Sequence, residues 1–311
     1  MVIWMVYDAA GLKRNAGYVS LFQRHCQPYG AEVEVVLDVE VRRKSLAGER
    51  PVCAFVRTIC PEINRFLEEQ GIPVFNSSEV SYLCNHKGRT LAYLRNRVFC
   101  VPSITVTRGE LSHILDMDVP EVRGYFQSHF PYSAFEERER SIVGRAEDFV
   151  VKTADGHGGS EVYSLCMDRD SGIAALLRET GTDASELVLQ PMVTCGTVYR
   201  DMRVYVIGTG IAAAVMRSSV HDFRANYSRG GDVRRVDLTP EQIEEVNRIT
   251  ACFTFGMAGI DFLFDTDGQI VLNEIEDVAG ARMLYACAPE LDIVHEYVKY
   301  VLEERLGLSV I

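Results

Sequence analysis

Apolar residues fall in short runs separated by polar stretches, and the spacing changes along the chain. Residues 2–7 (VIWMVY), 32–37, 52–57 and 72–75 are strand-length apolar runs, while 17–29 and 61–70 repeat apolar positions at helical intervals. This alternation predicts a small parallel sheet with helical crossovers. The helix over 61–70 begins at Pro61 and stops at Gly71, with Pro73 close behind. From Asn76 the pattern predicts a helix running through Lys87 to Leu94, an extended stretch over 101–106, and a polar segment over 107–148. That segment reads as two helices with a loop around Pro131, and Glu136 to Arg140 as a solvated helix face. Beyond residue 148 strands dominate: 149–152, 162–165, 187–193, 203–207, 211–217, 259–264 and 269–276. Thr239-Pro240-Glu241-Gln242 supplies a cap, a first-turn proline and a reaching Gln, so a helix starts there and runs to Gly256. A last helix over 289–306 buries Leu291, Val294, Val298 and Val301.

Composition narrows the class. The 311 residues suit two or three domains; 47% hydrophobic and 24% charged residues with only 10 prolines describe a chain folded throughout. The net charge of −12 makes nucleic acids and anionic membranes poor partners. The nine cysteines never form a CxxC pair, which fits reduced, mostly buried thiols of a cytoplasmic protein better than disulfides or zinc. No apolar run is long enough to span a membrane, and 2–7 lacks a basic flank and meets Asp8 at once, so it reads as a strand and not a signal peptide.

Three stretches carry candidate chemistry. In GIDFLFDTDGQIVLNEIEDVAG (259–280), Asp267-Gly268 between apolar runs predicts a two-residue hairpin loop that pairs Thr266 with Gln269. Asp261 then faces Glu274, with Glu276 two residues along on the same face. Opposed like charges destabilise a sheet, so a divalent cation is the natural compensation, and a few hard oxygen ligands favour Mg²⁺. The competing reading is a solvated strand end whose acids never meet. In FVVKTADGHGGSEV (149–162), Lys152 ends a strand before Gly156, Gly158 and Gly159, a loop that can approach phosphate oxygens but matches neither the Walker pattern nor GxGxxG. In the third stretch, Asp201 and Arg203 share a strand face. A turn over Gly208-Thr209-Gly210 would pair Ile207 with Ile211 and bring Arg217 onto that face, and Arg224 and Asn226 follow in a loop. Grouped arginines suit an anionic ligand, with surface ion pairing as the alternative.

The order of Lys87, Lys152 with its glycine loop, Gln190-Pro191-Met192-Val193, Asp201-x-Arg203, Arg217, Phe223-Arg224-Ala225-Asn226, Asp261 and Glu274-Ile275-Glu276 resembles the ATP-grasp superfamily, and within it the RimK-type glutamate ligases. The resemblance implies an α/β (α+β) fold with an N-terminal parallel-sheet domain (1–80), a central lid subdomain (81–190) and a C-terminal antiparallel-sheet domain (191–311), nucleotide lying between the last two. It makes Lys87 and Lys152 phosphate contacts, together with Gly158 and Gly159 of the loop. Gln190, Pro191, Met192 and Val193 become the adenine hinge, and Asp201 a contact near the ribose. Arg224 and Asn226 fall beside the terminal phosphate, and Asp261, Glu274 and Glu276 are metal ligands. Two features depart from the family: Glu276 stands where Asn is usual, and Ala279 replaces the proline before Gly280. The segment 107–148 is also longer than the likeness predicts.

By the same resemblance the chain is expected to be an ATP-dependent carboxylate-amine ligase using two Mg²⁺ ions, or Mn²⁺ in their place. Its substrates are an amino acid or peptide, coupled through an acyl phosphate, and the family implies a homodimer or tetramer. Arg217 is the preferred stabiliser of the tetrahedral oxyanion, with Arg203 and Arg224 as alternates. His157 is a phosphate contact or a solvated loop histidine. Arg282, and more weakly Arg57, are candidates to pair with a substrate carboxylate. The rival expectations are a small-molecule kinase on the same scaffold and a nucleotide-binding regulatory protein without turnover.

Overall fold

A computed structural model of the chain describes residues 1–156, 161–178, 186–194, 198–220, 223 and 232–311. Three sheets organise it. The first is parallel, with strands β1 (Val2–Tyr7), β2 (Glu32–Leu37), β3 (Ala54–Val56) and β4 (Val74–Phe75) in the order β2-β1-β3-β4. The second is antiparallel: β5 (Ile104–Val106), β6 (Phe149–Thr153), β7 (Val162–Ser164) and β8 (Leu187–Pro191), ordered β5-β8-β6-β7. The third is also antiparallel. Its strands β9 (Tyr199–Ile207), β10 (Gly210–Ser219), β11 (Asp232–Val236), β12 (Met257–Phe264) and β13 (Ile270–Glu276) run in the order β11-β10-β9-β12-β13. Its outer edge at β13 is sealed by the segment before β5, where Leu272 N donates to Phe99 O and Val101 N to Leu272 O.

The helices differ from the sequence expectation where a polar residue interrupts the apolar rhythm. The stretch expected as one helix over 17–29 is the end of a series: helices Ala9–Arg14 and Ala16–Cys26 meet at Asn15, and a short 3₁₀ turn Gln27–Tyr29 follows. The helix expected from Asn76 to Leu94 is two, Ser78–Cys84 and Lys87–Leu94, because His86 turns its ring nitrogen to cap the Arg89 N–H. Segment 107–148 holds three helices where two were expected. Thr107 and Asp118 each build a capping box, opening Arg108–Ile114 and Val119–His129, and Glu136–Arg145 follows. The last of these is not simply a solvated face: Glu139 is buried and accepts from the Ser133 N–H, while Arg138 lies over the Phe99 ring and pairs with Asp265 at 3.0 Å. The helix expected from Thr239 to Gly256 is Pro240–Thr250, opened by the anticipated box. The last one is Ile293–Lys299, continued by wider π-helical turns over Tyr300–Arg305. Strand β11 escaped the apolar-run reading because Arg234 and Arg235 break its pattern.

One apolar core joins the first sheet to the third. Ile3, Met5, Phe22 and Phe55 pack with Tyr205, Val215, Met257, Val294 and Val298. The helix Ile293–Lys299 is therefore the layer between the two sheets. A second core, with Val204, Ile260, Leu272 and Ile275, fills the opposite face of the third sheet. The eight described cysteines are all free thiols, and no described helix is long and apolar enough to cross a membrane.

Candidate active site

The third sheet lays out its charges in rows. Arg217 on β10 pairs across to Asp201 on β9. In the next row Arg203 on β9 faces Asp261 on β12, which faces Glu274 on β13. Beyond that, Tyr205 faces Gly259, which faces Glu276. Period-two alternation turns these rows to one side of the sheet. Gly259 keeps that row uncrowded, since a Cβ would come within 3.1 Å of Arg203 Cδ and 3.2 Å of Ala279 Cβ.

The expected Asp261–Glu274 pair is present, but the route to it differs. The hairpin loop has three residues, 266–268, with Asp265 N bonded to Gln269 O and Gly268 at φ +77°. That shifts the pairing by one, and a bulge at Asn273 restores it, so Phe262 pairs with Leu272 yet Asp261 with Glu274. The other hairpin repeats the correction. Ile207 pairs with Gly210 and not with Ile211, and an irregularity at Ala212 returns the register so that Asp201 meets Arg217.

Compensation of the opposed acids comes from this chain's own cations. Arg203 donates Nε to Asp261 Oδ1 and Nη2 to Oδ2, both at 2.6 Å, and its Nη1 lies 2.8 Å from Glu276 Oε2. Arg217 donates Nη2 to Asp261 Oδ2 at 3.0 Å and Nε to Asp201. Lys87 Nζ lies 3.4 Å from Glu274 Oε2 and also donates to the Gly156 carbonyl. Burial pushes Asp261 upward, but Arg203 and Arg217 outweigh it and hold the carboxyl at about 2. Glu274 is likewise pulled down against burial, chiefly by Lys87. Asp201 goes the other way, burial outweighing Arg217.

A cleft opens between the second and third sheets above this floor. Lys87, Lys152, Gln190, Pro191, Met192, Val193, Asp201, Arg217 and Glu274 all border it. Residues expected from five separate stretches of sequence are thus brought together. Lys87 is placed by the helix break at His86, which ties its N–H to Ala154 O at the end of β6. Lys152 projects from β6 and donates to Asn273 Oδ1 at 2.8 Å; burial lowers its pKa to about 8. Gln190 on β8 donates its amide to Ser103 Oγ at 2.8 Å.

Asp261, Glu276 and Arg203 form the ionic floor beside the cleft. Arg282 is not brought to it: it lies exposed at the start of helix Arg282–Cys287 and makes no ion pair with these acids. His157, Gly158, Gly159, Arg224 and Asn226 lie outside the described residues. Sequence reasoning missed Asn273 and Ser103, whose contacts depend on a bulge and on a strand pairing that no local pattern announces. It also missed Tyr199 and Glu161, which border the cleft.

The donor set fits a hard divalent cation. Oxygens of Asp261, Glu274 and Glu276 lie within 4.8 Å of one another, and the two glutamates make their ion pairs through Oε2. Asp261, with both oxygens on guanidinium groups, has the least capacity to spare.

Three sheets, with lysines and carboxylates brought to one cleft, have the ATP-grasp fold. The D-alanine–D-alanine ligase of Bacillus anthracis superposes with a TM-score of 0.68 at 14% identity, over 98% of this chain and 97% of that one. Residues 137–300 match the RimK-like ATP-grasp domain, and the chain belongs to that family. Among curated relatives, a Mycoplasma genitalium protein described as uncharacterized protein MG011 is 30% identical over 156 residues, 50% of this chain and 52% of that one. A probable alpha-L-glutamate ligase of Histophilus somni is 30% identical over 136 residues, 43% and 44% of the two chains. The chain spans about half the length of the curated relatives it matches.

Proposed function

We propose that this protein is an ATP- and Mg²⁺-dependent carboxylate-amine ligase that joins an acid to an amine, one of them an amino acid or peptide, through an acyl phosphate. The observation that carries the reading is the single cleft bordered by Lys87, Lys152, Asp201, Arg217 and Glu274, with Asp261 and Glu276 at its floor. Bound Mg²⁺ would neutralise the transferring phosphoryl group and orient it for in-line attack.

The chain's own residues do the rest. Lys87, beside Glu274, and Lys152, reaching over from β6, hold the phosphates, and Gln190 to Val193 receive the adenine along the main chain at the end of β8. Asp261, Glu274 and Glu276 hold the metal. Arg217 borders the cleft while hydrogen-bonded to Asp201 and Asp261, so its guanidinium is oriented before any substrate arrives. It serves as the oxyanion stabiliser when the amine attacks, and Arg203 reinforces it from the floor. No nucleophilic side chain is required. The names of curated relatives, probable alpha-L-glutamate ligases, support glutamate as one substrate.

The test is a screen of amino acid pairs for ADP release with mass spectrometry of the products. A ligase yields ADP, phosphate and a product lighter by one water than its two partners combined. A phosphorylated single acceptor would instead make the protein a kinase, and ADP absent with every pair would remove turnover altogether. Glu274→Gln is expected to lower Mg²⁺-dependent ADP formation by about a hundredfold or more with the fold intact by circular dichroism.

A further inference from the structure

The first sheet contains a polar site that the nucleotide cleft does not use. Its helices diverge between β1 and β3: helix Ala16–Cys26, joining β1 to β2, packs on the face of Ile3 and Met5, whereas helices Asp38–Leu46 and Pro61–Glu69 pack on the face of Trp4 and Val6. The crevice at the carboxyl ends of two such strands is where open α/β sheets receive ligands. Tyr7 ends β1 there, and Arg57 follows the last residue of β3.

Arg57 is 8% exposed, yet no carboxylate among the described residues lies within ion-pair distance of it. The acid closest in sequence is committed elsewhere: Asp8 accepts from Gly11 N at 2.7 Å and from Thr58 Oγ1. Arg57 Nη2 donates to the Ala279 carbonyl at 2.8 Å, and Nε is buried without a partner. The Tyr7 hydroxyl lies against the guanidinium, the Tyr18 hydroxyl is buried without a partner, and the Tyr18 ring centre is 5.0 Å from the guanidinium carbon. Nη1 has no hydrogen-bond partner among the described residues but is not among the enclosed atoms, so it reaches solvent. The buried Asp277 offsets this charge only from beyond ion-pair distance, so the guanidinium has a phenol, an aromatic face and a carbonyl as its direct neighbours and keeps a place for an anion in contact.

The place fits a substrate. Ala279 and the stem of Arg203 both lie beside Gly259, and Tyr205 donates to the Gly280 carbonyl at 2.9 Å. One residue's thickness therefore separates Arg57 from the acidic floor. We propose that Arg57 anchors, through Nη1, a carboxylate of a small acidic substrate whose far end extends to the phosphoryl-transfer centre. The inference rests on the ligase reading, deepens it by naming the anchored group, and assigns Arg57 a binding role that Arg282 does not fill.

The probe is glutarate, a dicarboxylate with no amine, titrated calorimetrically into the full chain with and without saturating MgADP. Wild type is expected to bind glutarate, Arg57→Gln to bind it at least about tenfold more weakly, and Arg57→Lys to fall between, since an ammonium keeps the charge but not the fork. ADP affinity should stay within about twofold in all three, because Arg57 lies outside the nucleotide cleft. If Arg57→Gln does not fold, Arg57→Lys carries the comparison. No glutarate binding by wild type, or equal binding by wild type and the folded variants, overturns the anchor. Failure of wild type to bind MgADP strikes the ligase reading instead.

Discussion

Lys152 shows how one buried charge can report on the cleft. Its ammonium is enclosed by protein with Asn273 as its one direct acceptor among the described residues, and burial brings its pKa down from the ordinary lysine value to about 8. Between about pH 8 and the unfolded lysine value the native state has shed a proton that the unfolded chain retains, so this group's penalty on stability is present below pH 8 and relieved as pH rises through that window. Ligand binding has the opposite sign. Polyphosphate favours the charged ammonium, so ADP affinity should fall as pH rises through about 8, and binding near that pH should take up a proton. Calorimetry in buffers of different ionisation enthalpy measures this uptake. Lys152→Met should weaken ADP binding and abolish the pH dependence; a variant that keeps wild-type affinity and proton uptake would move the phosphate contact elsewhere.

At the scale of elements, the hairpins explain what could be read from the sequence and what could not. Alternation fixes which residues share a face, so Asp261 with Glu274 and Asp201 with Arg217 were legible from spacing. Loop lengths were not: both hairpins deviate by one residue at the turn and recover it at a bulge. The extra residue of each bulge cancels the one-residue offset at its turn and returns the strands to the expected register, which is why the site residues came out right while Thr266, Gln269, Ile207 and Ile211 did not. The second bulge also does chemical work, because it turns both Asn273 and Glu274 toward the cleft and gives Lys152 its acceptor. In 107–148 the two helices that flank Pro131 were expected and a third was not, for a different reason. Their boundaries are set by Thr107 and Asp118 caps inside a segment with little apolar rhythm. Gly268 holds the three-residue loop at φ +77°, with open space around its missing Cβ, so the cost of Gly268→Ala is backbone strain alone. About 1 kcal/mol of lost stability in urea denaturation is expected, with ADP affinity unchanged; a neutral substitution would mean the loop relaxes to another turn.

Across the whole molecule, the acids depend on a joint that no local pattern announces. Asn76, just past β4 in the first sheet, is 3% exposed and sends Nδ2 to the carbonyls of Met257 and Asp277 at 2.8 and 2.9 Å. Its Oδ1 accepts the Gly256 N–H, and its own carbonyl accepts from Asn64. Met257 opens β12 and Asp277 follows β13, so a single amide fixes the ends of both strands that present Asp261, Glu274 and Glu276. Asn76→Ala strands three buried backbone groups, each costing about 1–3 kcal/mol when left unpaired. A loss of about 3 kcal/mol or more in urea denaturation is expected, where Glu274→Gln should leave stability nearly unchanged. Asn76→Asp keeps the acceptor but removes both donors and adds a buried charge, so it should be no better than alanine. If Asn76→Ala cost under about 1 kcal/mol, the shared apolar core and the Arg57–Ala279 bond would be holding the first sheet to the third, and the acids would owe their spacing to the sheet register.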